Sequence, residues 1–63
     1  MNKIKNARLI AGMTQRELAK QLGISHISVC RWERDKAFPS VKRIKQVAEI
    51  LGTTVDELLK EVS

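Results

Sequence analysis

A chain of 63 residues, 43% of them apolar and with a formal charge of +5, is expected to be one small domain, 1–63, at a size where a single core is only marginally stabilising. Its one cysteine, Cys30, excludes an internal disulfide, and one Cys with one His cannot complete a tetrahedral cage, so no metal or other cofactor is expected. No apolar run approaches the roughly 20 residues that span a bilayer and the basic start lacks a secretory apolar stretch, so a reducing, cytoplasmic setting without a membrane is expected.

The first periodic segment repeats Ile4, Ala7, Arg8 and Ala11 at helical spacing, an apolar face with an arginine set into it. Gly12, Gly23 and Gly52 each fall where a periodic segment stops, as glycines that end helices do. Next, "TQRELAKQLG" opens with a capping box of Thr14 and Glu17 and carries Leu18, Ala19 and Leu22 as a stripe. After Gly23 and Ile24, Ser25 is the natural cap of a third helix, about 25–34, so the second and third helices must meet at a sharp angle. Pro39 keeps its predecessor extended and Ser40 caps a fourth helix whose inward residues are expected to be Val41, Ile44, Val47, Ala48 and Leu51. A second capping box, Thr54 and Glu57, starts a last helix with Val55, Leu58, Leu59 and Val62. The likeness of "TQRELAKQL" to "TVDELLKEV" is that of two capping boxes followed by apolar stripes, not of a duplicated unit. No strand, linker or low-complexity stretch is legible.

Charge is unevenly placed. Residues 1–45 hold eleven Lys/Arg against three acids, a net +8, whereas residues 46–63 hold one Lys against four acids, a net −3. Such a split points to a polyanion on one side and another role on the other, although a merely lopsided solvent face has the same composition. The third helix is more specific. At about 100° per residue, Val29 and Trp32 point one way, while Ile27, Cys30, Arg31 and Arg34 point the other, with His26 on the flank. Arginines for anions and guanine edges, an aliphatic group for thymine methyls and small polar groups nearby suit the major groove of DNA. The bland alternative is an ordinary exposed isoleucine beside solvating arginines. The second helix adds a phosphate site at its start, around Thr14 and Gln15, where backbone N–H groups and the positive dipole end are free.

On these residues, "TQRELAKQLGISHISVCRWERDKAFPS" resembles the helix-turn-helix of phage-repressor, Cro and Xre-type regulators, with Gln15, Ala19, Gly23, Val29 and Trp32-Glu33 as its most specific spacing. The resemblance runs from "IKNARLIAGMTQ" through "VKRIKQVAEILGTTVDELL" and implies an all-α, compact five-helix lambda-repressor-like fold, with the helix-turn-helix at about 14–34 in helices 2 and 3. It implies base or groove contacts from His26, Ile27, Ser28 and Arg31. It further implies phosphate contacts from Gln15, which would also brace the first side chain of the reading helix, and from Lys36 with Lys42 or Arg43. Ser25 and Arg34 flank the same surface and join the phosphate candidates. Arg8 and Glu33 match a pair that forms a salt bridge in such proteins. Val55, Glu57 and Leu58 lie where relatives dimerise. Asp35 departs from the pattern, since many relatives have Gly there.

The expected activity is therefore sequence-specific binding of double-stranded DNA by a transcriptional regulator, a repressor, acting as a homodimer at least on DNA and on a pseudo-palindromic operator. No small-molecule ligand is evident. Catalysis is not expected, because there is no second histidine for a triad and no phosphate-cradling glycine loop, and the carboxylates are taken by caps and pairing. His26, at a helix start that disfavours its protonated form, is expected to act as a neutral donor or acceptor, and Cys30 as structural filler rather than a redox sensor. Two rival readings remain: an antitoxin-like or adaptor module that holds another protein, and the DNA-binding head of a longer repressor. Met1 reads as a true start, while Ser63 gives no sign of a natural stop.

Overall fold

The structure, a computed structural model, describes residues 2–59. Five helices follow one another: α1 (Lys3–Ile10), α2 (Gln15–Leu22), α3 (His26–Glu33), α4 (Val41–Leu51) and α5 (Val55–Leu59). All of the described secondary structure is helical. Each start is marked by a polar cap: Asn2 before α1, Thr14 before α2, Ser25 before α3 and Ser40 before α4, each in extended backbone and accepting N–H groups of the first turn. The Thr14–Glu17 box is reciprocal, with Glu17 N–H donating to Thr14 Oγ1 at 3.0 Å and Thr14 N–H to Glu17 Oε1 at 2.9 Å. At α5 only half of the expected box forms among the described residues: Glu57 N–H donates to Thr54 Oγ1 at 3.1 Å.

The ends follow one rule. Met13, Ile24, Lys36 and Thr53 each return an N–H to a carbonyl five residues back (Arg8, Ala19, Arg31 and Ala48), at 2.9–3.1 Å. Between donor and acceptor sits a left-handed residue, which is Gly12, Gly23 and Gly52 in three cases and Asp35, at φ 59°, in the fourth.

Leu18 of α2, Val29 of α3 and Val47 of α4 are fully buried at the centre. Around them pack Ala19, Leu22, Trp32, Ile44, Ala48 and Leu51, closed on one side by Ile4 of α1 and Leu58 of α5. Ala19, 2% exposed, is small where α2 and α3 pack closely against each other, and truncating Leu18 or Trp32 here would cost about 2–5 kcal/mol. Three apolar expectations need correction. Val41, placed inward by the pattern, is 73% exposed: as the first residue of α4 it lies before the helix reaches the core. Leu59 is half-exposed, and Ala11, which closes α1, is exposed. Val62 lies outside the described residues.

Candidate nucleic-acid interface

α3 is held from beneath by Val29 and Trp32 and started by Ser25, whose Oγ accepts the Ile27 N–H at 3.2 Å. Its other face is open. Ile27 is 54% exposed, Arg31 and Arg34 are exposed, and His26, Ser28 and Cys30 are half-buried on the flanks. A shallow concavity of about 550 Å³ runs along this face, bounded by Gln15 from α2 and Lys36 from the loop after α3. A second, of about 660 Å³, lies at the start of α2 beside Thr14 and Arg16. Gln15 and His26 line both, so the two concavities form one continuous surface. Among its lining residues there is no aspartate or glutamate, while Arg16, Arg31, Arg34 and Lys36 lie along it.

The acid that the sequence places on α3 is removed from that surface by pairing. Arg8 Nε donates to Glu33 Oε2 at 2.7 Å and Arg8 Nη2 to Glu33 Oε1 at 3.1 Å, a two-point bridge between side chains only 9% and 3% exposed. The remaining Arg8 nitrogen, Nη1, donates to the Met13 carbonyl at 2.7 Å. Gln15 Nε2 donates to the same Glu33 Oε1 at 3.0 Å. Burial pushes the Glu33 carboxyl up, but the hydrogen bonds from Arg8 and Gln15 and the charge of Arg8 outweigh it and hold the group below the ordinary carboxylate value. The hydrogen bond to Glu33 raises Arg8 above its ordinary value against the opposing effect of burial.

Gln15 is thus itself braced by Glu33, at the far end of α3; it also lies beside His26, the first residue of that helix, whose side chain the resemblance expects it to brace. The bond fixes the amide orientation, leaving the Gln15 carbonyl oxygen and one amide N–H for an incoming group.

The expected phosphate residues separate into two sets. Lys36 and Lys42 are exposed, and Arg34, the residue that closes α3, is exposed as well. The Thr14 N–H and Oγ1 form the box with Glu17, which leaves the Thr14 hydroxyl proton and the N–H groups of Gln15 and Arg16 free at the start of α2. The Ser25 hydroxyl likewise accepts the Ile27 N–H and keeps its proton to donate. Arg43 is turned inward: its Nη1 donates to the Leu22 carbonyl at 2.9 Å and to Gln46 Oε1 at 2.9 Å. Through that nitrogen Arg43 braces the last turn of α2, while its Nε and Nη2 make no hydrogen bond among the described residues. Arg16, absent from the expected contacts, is exposed in the first turn of α2 and lines the second concavity; a cation one residue beyond Gln15 was its signal in the sequence.

Of the three dimer candidates, Leu58 is 6% exposed and belongs to the core, so it is not available for contact in this conformation. Val55 is half-buried against the same core and Glu57 is exposed. The amphipathic period shared by the two roles gives no means of separating them in sequence.

A family profile described as helix-turn-helix matches residues 4–58. Over 57 residues, 90% of this chain, it is 33% identical to the HTH-type transcriptional activator BcrR of Enterococcus faecalis, of which the match covers 28%. An uncharacterized HTH-type transcriptional regulator of Methanocaldococcus jannaschii is also 33% identical over 57 residues, 90% of this chain, and there the match covers 86% of the relative. The HTH-type transcriptional regulator DicA of Escherichia coli is 47% identical over 38 residues, 60% of this chain and 28% of its own length. The chain therefore spans less than a third of two of these relatives and most of the other. No solved structure matches it.

Proposed function

The chain belongs to the Cro/C1-type helix-turn-helix family of transcriptional regulators, and from that membership we propose that it reads double-stranded DNA sequence-specifically, as a homodimer on a pseudo-palindromic operator, and represses by occluding the site. The observation that carries this reading is the outer face of α3: Ile27, Arg31 and Arg34 stand clear of the core, and the one glutamate of that helix is folded away onto Arg8. Arg31 and Ile27 meet base edges and methyl groups, with Ser28 and His26 beside them. Gln15, Arg16, Arg34, Lys36 and Lys42 hold the phosphates on either side and set the register of α3. An 8-residue helix covers only a few base pairs, so two copies on half-sites one turn apart supply the rest of the affinity. Val55 and Glu57 are the candidate contacts between copies. BcrR bears the name of an activator; the repression proposed here needs only occupancy of the operator.

Selection of duplexes from a random pool, followed by salt titration of the selected and a random duplex, tests the proposal. If a dimer neutralises about eight phosphates, log K falls with log salt at a slope of about −7. The selected site is expected to be an inverted repeat. Affinity indifferent to both sequence and salt would refute the reading, and stoichiometric capture of another protein without any duplex would favour an antitoxin-like or adaptor role.

A further inference from the structure

We propose that Asn2 is a positioning residue for the DNA-facing surface, closing two helix ends with one side chain and thereby fixing the far end of α3 and Lys36 beyond it; this rests on the DNA-binding reading above. Asn2 Oδ1 accepts the N–H groups of Ile4 and Lys5 at 2.9 and 3.1 Å, capping α1. Its Nδ2 donates to the Trp32 carbonyl at 2.8 Å and to Asp35 Oδ1 at 3.0 Å, across 30 and 33 residues of chain. The side chain thus makes four bonds, the number a primary amide can make with two donors and two acceptor sites.

The far end of α3 needs this help more than the other helix ends do. Where α1, α2 and α4 are followed by glycine in the left-handed region, α3 is followed by Asp35 at φ 59°. A residue with a Cβ is less favourable in that conformation, and a carboxylate beside exposed helix carbonyls opposes the helix dipole. The Asn2 amide answers both: it takes one of those carbonyls and solvates the carboxylate. What depends on the turn is functional. The Lys36 N–H is held by the Arg31 carbonyl at 2.9 Å and the Asp35 N–H by the Trp32 carbonyl at 3.2 Å. The backbone joint that aims Lys36 is therefore the one that carries the Arg31 side chain. α2 and the buried pair Val29 and Trp32 set the near end and roll of α3; Asn2 sets where its far end stops.

Two variants separate this role from ordinary capping. Asn2→Ser keeps a capping oxygen for α1, adds no charge and is too short to reach Trp32 and Asp35. It is expected to weaken binding to the selected duplex about threefold to tenfold, the loss that corresponds to one net hydrogen bond, and to reduce the salt slope by about one per subunit as the Lys36 contact loosens. Asp35→Gly supplies the left-handed glycine that ends the other helices and removes the carboxylate, the two features Asn2 answers. In the Asp35→Gly background the effect of Asn2→Ser on affinity and slope is expected to fall to less than half, and this background carries the test should Asn2→Ser alone melt below the assay temperature. Exchange of the Lys36 amide, read by NMR, should quicken in Asn2→Ser and slow again when Asp35→Gly is added. Wild-type affinity and slope in Asn2→Ser, or an undiminished loss in the Asp35→Gly background, would overturn the positioning role. A wild-type chain that bound no duplex would instead overturn the DNA reading itself.

Discussion

The corner between α2 and α3 and the corner between α4 and α5 have nearly the same backbone: Gly23 at φ 70°, ψ 32° and Gly52 at φ 70°, ψ 31°. In each, the residue after the glycine returns its N–H to a buried alanine, Ile24 to Ala19 at 3.0 Å and Thr53 to Ala48 at 2.9 Å. In each, a hydroxyl then caps the next helix, Ser25 for α3 and Thr54 for α5. The helices that leave the two corners are unlike. α3 presents Ile27, Arg31 and Arg34 outward, with its glutamate bridged inward, whereas α5 begins with Asp56 and Glu57 and turns Leu58 into the core. A duplex brought to the two corners would meet cations at one and carboxylates at the other. The glycine turn is thus a local device that this chain uses twice, and the charge and exposure of the following helix distinguish the two copies.

The largest effect should come from the anchor that only the first corner has. Arg8→Ala leaves Glu33 nearly buried and without its cation, and about 3–5 kcal/mol of stability should be lost in urea unfolding. For so small a domain that approaches the whole stability. Replacing both partners with apolar residues of similar size should cost markedly less, and an equal cost would argue that packing of the Arg8 stem, not the charge, is what matters.

Binding separates the corners next. Arg31→Ala should cost about 1–3 kcal/mol on the selected duplex and relax base preference at one position, while Glu57→Ala should leave the affinity of a single subunit for a half-site unchanged. Competition binding on single-base variants of the duplex reads both.

Gly23→Ala and Gly52→Ala form a matched pair. Each has open space where a Cβ would stand and the same positive φ, so each should cost about 1–2 kcal/mol in thermal or urea unfolding. Only Gly23→Ala should also weaken DNA binding, because α3 hangs from that turn; equal loss of binding in both would erase the distinction drawn between the corners.

The smallest effect is a slope with pH. Since Glu33 is held below its ordinary value of 4.5, its contribution is complete above that pH and is lost as pH falls through the lower folded value. Urea midpoints measured from about pH 6 down to 3 should decline in that window. Glu33→Gln, less stable at the outset, should show a shallower decline. Glu17, also lowered, chiefly by the Thr14 backbone N–H, adds a contribution of the same sign.

Much of the fold was legible because its signals are short-ranged. Thr14, Ser25 and Ser40 announce helix starts, and Gly12, Gly23 and Gly52 announce ends, through contacts within a few residues. The inward pair Val29 and Trp32 and the outward Ile27 and Arg31 follow from helical period alone. Asn2 shows the limit: nothing local in the sequence shows that one amide caps α1 and also reaches Trp32 and Asp35. Arg43 shows it too, since Lys42 and Arg43 are equivalent cations in sequence and only one lies within reach of the Leu22 carbonyl.

The sequence by itself determined where the helices begin and end, which face of the third is apolar, and that its other face is cationic, since caps, glycines and period act over one or two turns. The Arg8–Glu33 bridge was expected from the resemblance; only the tertiary structure decided that Gln15 joins that pair, that Leu58 is core and Val41 is not, and that Arg43 braces α2. Those outcomes depend on which helix ends and side chains are brought together across 18 to 33 residues. Distances of that kind are set by how the five helices pack, and no periodicity within one helix encodes them.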